Sequence, residues 1–131
     1  EEDDPCESGY YLKEVLLDED RYYSLDLGSN VSEIGYSFER YGEDEHAFDV
    51  YVLDDFNYQQ FVDEYSFLYE GDLSSPATNS TAFSKEPVRV NEGQYYLIVD
   101  NTDRPDAVPP DDGENNKIHF EVDVFLTRCF Y

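Results

Sequence analysis

The fold class follows from residues 117–126, which read KIHFEVDVFL. Apolar side chains stand at every second position from Ile118 to Leu126, and mostly polar ones, such as His119 and Glu121, stand between them. Successive side chains of a β-strand point to opposite faces of a sheet, so this alternation predicts a strand with one buried and one solvent-facing side. We therefore expect the acidic positions of this strand to face the solvent.

The same alternation, followed toward the start of the chain, predicts most of the remaining elements. Further strands are predicted over 10–17, 21–27, 32–39, 48–53, 81–90 and 94–101. Gly28-Ser29-Asn30 and Asn91-Glu92-Gly93 consist largely of turn-forming residues, so we expect the chain to turn at both places. Pro87 lacks a backbone N–H and therefore predicts an edge position for the strand that contains it.

Residues 54–65 interrupt the alternation of apolar and polar side chains. We predict a short helix or loop insert there, because Asp54 or Asp55 could cap the start of a helix. Residues 74–80 and 103–116 are rich in proline and small polar residues, which predicts surface loops.

The predicted elements define an all-β protein. Seven or eight strands follow one another without the intervening helices that a parallel sheet requires. Turn signals recur at the intervals typical of sandwich folds. We therefore expect an antiparallel, jelly-roll-like β-sandwich formed by residues 1–131 as a single domain, with a short insert near 54–65.

Eight basic and 32 acidic residues give a formal net charge of 8 − 32 = −24. A chain of this charge without a basic stripe would approach nucleic acid against its own field, so we exclude nucleic acid as a partner. Aromatic residues make up 17% of the chain, which argues against a disordered acidic tail. No apolar run approaches the ~20 residues that a membrane-spanning helix needs, so membrane insertion is not expected.

The composition of the charged residues resembles that of proteins from extreme halophiles. Aspartate and glutamate are spread along the whole chain, while lysine occurs only at positions 13, 85 and 117. Such charge repels itself at low ionic strength, and at ~1 M salt the Debye length of about 3 Å screens most of this repulsion. We therefore expect a salt-adapted protein of a halophile, such as an archaeon. The alternative is an acidic protein from an ordinary organism.

The two cysteines and two glycosylation sequons indicate an oxidising, extracellular compartment. Cys6 and Cys129 lie near opposite ends of the chain without metal-binding spacing, so we predict a disulfide; two unrelated buried thiols are the alternative. Asn30 and Asn79 each begin an Asn-X-Ser/Thr sequon. The chain begins at Glu1 without a methionine, a start that removal of a signal peptide would produce.

Three stretches resemble a known group of domains. They are residues 49–53 (DVYVL), 88–102 (VRVNEGQYYLIVDNT) and 117–124 (KIHFEVDV). Their order is similar to that of the β-sandwich of GOLD domains and of bacterial pre-peptidase C-terminal domains, modules that also occur on exported haloarchaeal proteins. The resemblance implies a non-catalytic, jelly-roll-like module used in protein contacts. It implies no catalytic residues, and the 54–78 insert is not part of the generic pattern.

The chemistry-bearing residues do not predict an enzyme. No Gly-X-Ser-X-Gly nucleophile motif occurs, and the chain has only two histidines. Calcium is the ion that best suits the acidic residues, because it takes six to eight oxygen ligands. The possible calcium ligands cluster around one loop: Asp100, Asn101, Asp103, Asp106, Asp111 and Asp112. The alternative is a solvated acidic loop without an ordered metal, and no other cofactor is expected.

These observations together predict an extracellular, salt-adapted structural or interaction module. It could serve as a cell-surface component, a filament subunit or a virion accessory protein of a halophile. The 13 tyrosines suggest a contact surface, so we expect protein partners: copies of the chain itself or another surface or particle protein. The alternatives are a carbohydrate- or calcium-binding module and an accessory domain of an exported hydrolase.

Overall fold

Six antiparallel strands and one short helix form the part of the chain that the computed structural model describes, namely residues 6–18, 21–41, 48–78, 82–102 and 117–129. The elements are β1 (Cys6–Leu17), β2 (Tyr22–Tyr41), β3 (Phe48–Asp54), α1 (Asp55–Val62), β4 (Ser75–Thr78), β5 (Ala82–Asp100) and β6 (Ile118–Cys129). The prediction of an all-β, antiparallel fold is therefore confirmed.

The strands form one hydrogen-bonded sheet in the order β1-β6-β2-β5-β3-β4. β1 pairs with β6 over its full length, from Cys6 opposite Cys129 to Leu17 opposite Ile118. β2 and β5 are 20 and 19 residues long and pair along most of their length. On β2, the pairing with β6 is limited to the second half of the strand. On β5, the pairing with β3 is likewise limited to the second half.

β2 and β5 are each continuous strands, although the sequence predicted two separate strands for each. The register between them shifts around Gly28 and Val31, where Gly28 has a φ of +90° and Asn30 a φ of +61°. Glycine adopts a positive φ without steric cost, and asparagine tolerates it. The predicted turn residues therefore form bulges that bend the strand, not reversals that end it.

The bend brings the two halves of the sheet face to face around the core. Phe38, in the second half of β2, contacts Phe48 of β3 with ring centroids 5.5 Å apart. Tyr23, in the first half of β2, lies 6.0 Å from Phe120 of β6. The described residues thus form six strands of one bent sheet, where the sequence predicted seven or eight strands in two separate sheets.

The predictions for the connecting segments have different outcomes. The short helix near 54–65 is confirmed as α1, and Asp54 caps it by accepting a hydrogen bond from the Asn57 backbone N–H at 2.8 Å. The prediction of a surface loop over 74–80 is wrong for its central residues, because Ser75–Thr78 forms β4 and pairs with β3. The loop predicted over 103–116 lies outside the described residues.

Tyr95 gives the fold a measurable dependence on alkaline pH. Its hydroxyl donates a hydrogen bond to the Asn91 carbonyl at 2.6 Å, and burial, helped by the charges of Glu70 and Asp54, raises its pKa to about 12. A raised pKa means that the folded state favours the neutral phenol. The contribution of Tyr95 to stability is therefore fully present below pH ~10 and is lost as pH rises toward 12.

We expect Tyr95→Phe to lower the free energy of unfolding by roughly 1 kcal/mol at pH 8, because it removes the hydrogen bond to Asn91. The difference from the wild type should shrink between pH 10 and 11.5, since only the wild type loses the Tyr95 contribution there. Urea unfolding at each pH measures both effects. Tyr10→Phe, which removes an exposed hydroxyl, is the matched control. A difference that stays constant with pH would contradict the assignment.

Candidate functional site

Four strand segments have a free edge in the described part of the chain: β1, β4, the first half of β2 and the first half of β5. All of them except β1 carry features that interrupt pairing. β4 has four residues and contains Pro76. The first half of β5 contains Pro87, and its free edge agrees with the edge position that this proline predicted. The first half of β2 ends at the Gly28 bulge. Short strands, prolines and bulges all protect edges against pairing with another chain.

β1 is the fourth edge, and it carries no bulge or proline. Its twelve residues pair with β6 without any register shift. In the order of strands, β1 has no neighbour on its other side among the residues that the structure describes. Within the described ranges, the side of residues 7–17 that faces away from β6 is thus an edge at which another strand can pair.

Large apolar side chains stand exposed along β1, and we call them the edge surface. They are Tyr10 (73% exposed), Leu16 (61%), Leu12 (59%) and Tyr11 (44%). The register places Tyr10, Leu12 and Leu16 on the outer face of the sheet and Tyr11 on the opposite face. Tyr10 packs on Phe125 of β6 with ring centroids 5.1 Å apart. The edge surface thus combines apolar area with a free strand edge.

Covalent and polar contacts hold β1 against β6. Cys6 and Cys129 lie directly opposite each other and form a disulfide with an S–S distance of 2.07 Å. Two residues further on, the hydroxyls of Ser8 and Thr127 are 2.9 Å apart. Near the other end, Glu14 Oε2 and His119 Nε2 are 2.6 Å apart. The edge strand is therefore joined to β6 by side-chain contacts near both of its ends.

A second group of exposed apolar side chains lies on α1 and the segment that follows it, and we call it the helix surface. It consists of Leu68, Phe56, Tyr65, Val62 and Tyr69. α1 buries only Phe61, which packs with Tyr51, Leu53 and Ile98. The Asn57 side chain accepts a hydrogen bond from the Leu68 backbone N–H at 2.8 Å and so fixes the segment.

α1 and the turn that follows it carry aromatic side chains at Phe56, Phe61 and Tyr65. Only Phe61 is buried among these three, whereas Phe56 and Tyr65 are exposed. Beside this turn, burial raises the pKa of Glu70, and the charges of Asp54 and Asp72 add to that shift.

A shallow groove of about 230 Å³ opens on the outer face of the sheet beside the edge surface. Gly35 forms its floor, and Tyr10, Phe125 and Pro87 contribute apolar walls. A Cβ atom at Gly35 would lie 2.9 Å from the backbone of Pro87, so this close approach requires glycine. Asp123 Oδ1, also at the groove, is buried and accepts no hydrogen bond from the described residues.

Two of the six predicted calcium ligands lie in the described residues, and both are engaged by the protein. Asp100 and Asn101 are buried. Asp100 Oδ1 accepts hydrogen bonds from the Thr102 backbone N–H at 2.9 Å and hydroxyl at 2.6 Å, while the Asn101 amide donates to the Asp18 carbonyl at 3.2 Å. The remaining candidates, Asp103, Asp106, Asp111 and Asp112, lie outside the described residues.

The remaining predictions concern a metal site, the two glycosylation sequons and membrane insertion. Among the described residues, no group of three or more histidine, cysteine or acidic side chains is arranged to hold a metal. Asn30 is half-buried at the bend of β2, and Asn79 lies outside the described residues. No helix in the described ranges is long and apolar enough to cross a membrane.

Comparison with known proteins adds no relative. No family model matches the chain, and no curated protein matches its sequence. The similarity to GOLD and pre-peptidase C-terminal domains therefore stays a prediction from residues 49–53, 88–102 and 117–124.

Proposed function

We propose that this chain is a non-catalytic, extracellular structural or interaction module adapted to high salt. It acts by contacting copies of itself or a companion protein at the surface of a halophile's cell, filament or virus particle. The bent sheet serves as a jelly-roll-like scaffold that holds the contact surfaces in place.

The grouping of the exposed apolar side chains carries this proposal. On a chain of net charge −24, large exposed apolar residues are concentrated on the edge surface and the helix surface. Grouped apolar residues mark contact sites, whereas single exposed ones are normal on any protein. The two surfaces lie on different halves of the bent sheet, since α1 contacts β3 and the second half of β5 while β1 contacts β6. A module with two such surfaces can contact two neighbours at once.

Compartment and milieu are inferred from the covalent and charge features. The Cys6–Cys129 disulfide is typical of secreted and cell-surface proteins. The excess of acidic residues favours a salty environment, in which screened carboxylates no longer repel a second acidic molecule. Concentrated salts that are excluded from protein surfaces also strengthen apolar contacts.

Light scattering of the purified chain in ~3 M KCl tests the proposal. We expect an average mass above the monomer value of 15.3 kDa that rises with protein concentration. We also expect regular arrays or particles when native envelopes or virions that contain the protein are imaged. A 15.3 kDa monomer at all concentrations, together with isolated copies in the native material, would overturn the proposal.

Carbohydrate binding is the second candidate function, and the groove favours it. An exposed aromatic ring (Tyr10) next to a carboxylate oxygen without a hydrogen-bond donor (Asp123) suits a sugar ring with its hydroxyl groups. Saturable binding of a sugar that is lost in Tyr10→Ala and in Asp123→Ala would favour this function over the first.

A further inference from the structure

We propose that β1 is the contact strand and that it pairs antiparallel with β1 of a second copy, about a twofold axis at Leu12. This inference rests on the proposed function, because it names the surface and the partner that the module uses. The two sheets then continue into each other across the contact.

The choice of β1 follows from the four free edges. Every other edge is short, bulged or interrupted by proline, whereas β1 offers twelve residues in unbroken register. The disulfide at Cys6 and the contacts along β6 already fix the conformation of β1. Addition of a strand to a preformed edge therefore needs little further ordering of the chain.

A second copy fits β1 because β1 carries little of the large negative charge of the chain. Residues 6–17 contain Glu7, Lys13 and Glu14, which gives a formal charge of 1 − 2 = −1 out of the total of −24. Glu14 in addition faces His119. Two copies that meet through β1 thus bring together strands of low net charge.

The register follows from cross-strand pairing. A twofold axis perpendicular to the sheet places residues of the same face opposite each other, so each β1 residue i faces residue 24 − i when the axis passes through Leu12. Leu12 then faces Leu12, Tyr11 faces Lys13, and Tyr10 faces Glu14 of the second copy. The aromatic ring and the ammonium group attract each other, and no like charges are opposed.

Neighbouring registers on the C-terminal side are worse. An axis at Lys13 opposes two ammonium groups, and an axis at Glu14 opposes two carboxylates; like charges directly opposite each other destabilise a strand pair. An axis at Tyr11 keeps the same number of pairs but sets Lys13 against Gly9, which has no side chain to contact. Of these registers, only the one with its axis at Leu12 gives both Tyr11 and Lys13 a favourable partner.

Two lysine substitutions at exposed positions test the contact. We expect Leu12→Lys to raise the dissociation constant of the dimer at least about tenfold in ~3 M KCl, because it removes the apolar contact between the two Leu12 side chains at the axis. Glu92→Lys is the control: Glu92 is exposed on β5, outside both the edge surface and the helix surface, and a lysine there should leave this dimer unchanged. Circular dichroism and melting curves establish that both variants fold, and light scattering measures the dimer.

Cysteine cross-linking tests the register independently. Directly opposed residues have Cβ atoms about 5 Å apart, so Leu12→Cys should be joined to a second copy by a short bismaleimide. Leu16→Cys is the control, because its two copies would lie about 27 Å apart, eight residues along the strands. The native cysteines are bonded to each other and do not react with the reagent.

The outcomes separate this inference from the proposed function. A wild-type assembly that Leu12→Lys weakens and Leu12→Cys traps supports both. An assembly that survives Leu12→Lys, or that cross-links through Leu16→Cys as readily as through Leu12→Cys, overturns the β1 contact and leaves the proposed function standing. A wild-type chain that stays monomeric in concentrated salt, with no copies in contact in native material, overturns both.

Discussion

Replacing Cys6 and Cys129 together by serine should lower the free energy of unfolding by about 5 kcal/mol. The disulfide joins residues 123 positions apart and so closes a loop that contains almost the whole chain. In the loop-entropy model a closed loop of this length removes about 5 kcal/mol of conformational freedom from the unfolded state. Urea unfolding in concentrated salt measures the loss, and thiol labelling of the native wild type should find no free cysteine.

Reduction of the Cys6–Cys129 disulfide in the wild type provides the matched control for the double serine variant. Unfolding of the reduced wild type should coincide with that of the double serine variant, because both lack the same cross-link. Ser32→Ala, which removes a hydroxyl 3.3 Å from the Cys129 sulfur but keeps the disulfide, should change the stability by no more than about 1 kcal/mol. A double variant within about 1 kcal/mol of the wild type, or two reactive thiols in the native protein, would contradict the prediction.

The strand segments could be predicted from the sequence because buried and exposed positions alternate along them. Each of the seven predicted segments, apart from at most one terminal residue, coincides with part of a strand of the structure. Their continuity could not be predicted, since Gly28 and Asn30 favour positive φ values in a turn and in a bulge alike. β4 escaped prediction because its four residues include Ser75 and Pro76, which locally favour a loop, and it exists only through pairing with β3.

The edge surface shows the limit of prediction from alternation. Residues 10–17 (YYLKEVLL) place apolar side chains on both faces, an irregularity that is visible in the sequence. That pattern fits a central strand buried on both faces as well as an edge strand with exposed apolar residues. The order of the strands decides between the two, and it depends on pairings between distant residues such as Cys6 and Cys129. A single sequence does not supply such pairings.

The described surface has the charge distribution that makes stability depend on salt. Its exposed acidic residues are Glu7, Glu14, Asp18, Asp26, Glu39, Asp55, Asp63, Glu64, Asp72, Glu86 and Glu92. Its exposed basic residues are Lys13, Arg21, Arg89 and Lys117. Folding brings these carboxylates closer together than they are in the unfolded chain, so their mutual repulsion opposes the folded state.

We therefore expect the Tm to rise by at least about 10 °C between 0.1 M and 3 M KCl. The Debye length falls from about 10 Å at 0.1 M to about 3 Å at 1 M, which is shorter than most distances between surface charges. For a domain of this size, a shift of roughly 10 °C corresponds to only a few kcal/mol of relieved repulsion. Calorimetry or circular dichroism across the salt series measures the Tm.

A charge-reversed variant separates screening from the general effect of concentrated salt on apolar contacts. Asp72→Lys, Glu86→Lys and Glu92→Lys together change the net charge to −24 + 6 = −18 and alter only exposed side chains. If screening of self-repulsion is the cause, this variant melts higher than the wild type at 0.1 M KCl, and the difference shrinks at 3 M. Salt that acts only by strengthening burial would raise both proteins in parallel. A Tm of the wild type that does not change with salt would contradict the inference of a salt-adapted protein, because screening should relieve the repulsion among the carboxylates of so acidic a surface.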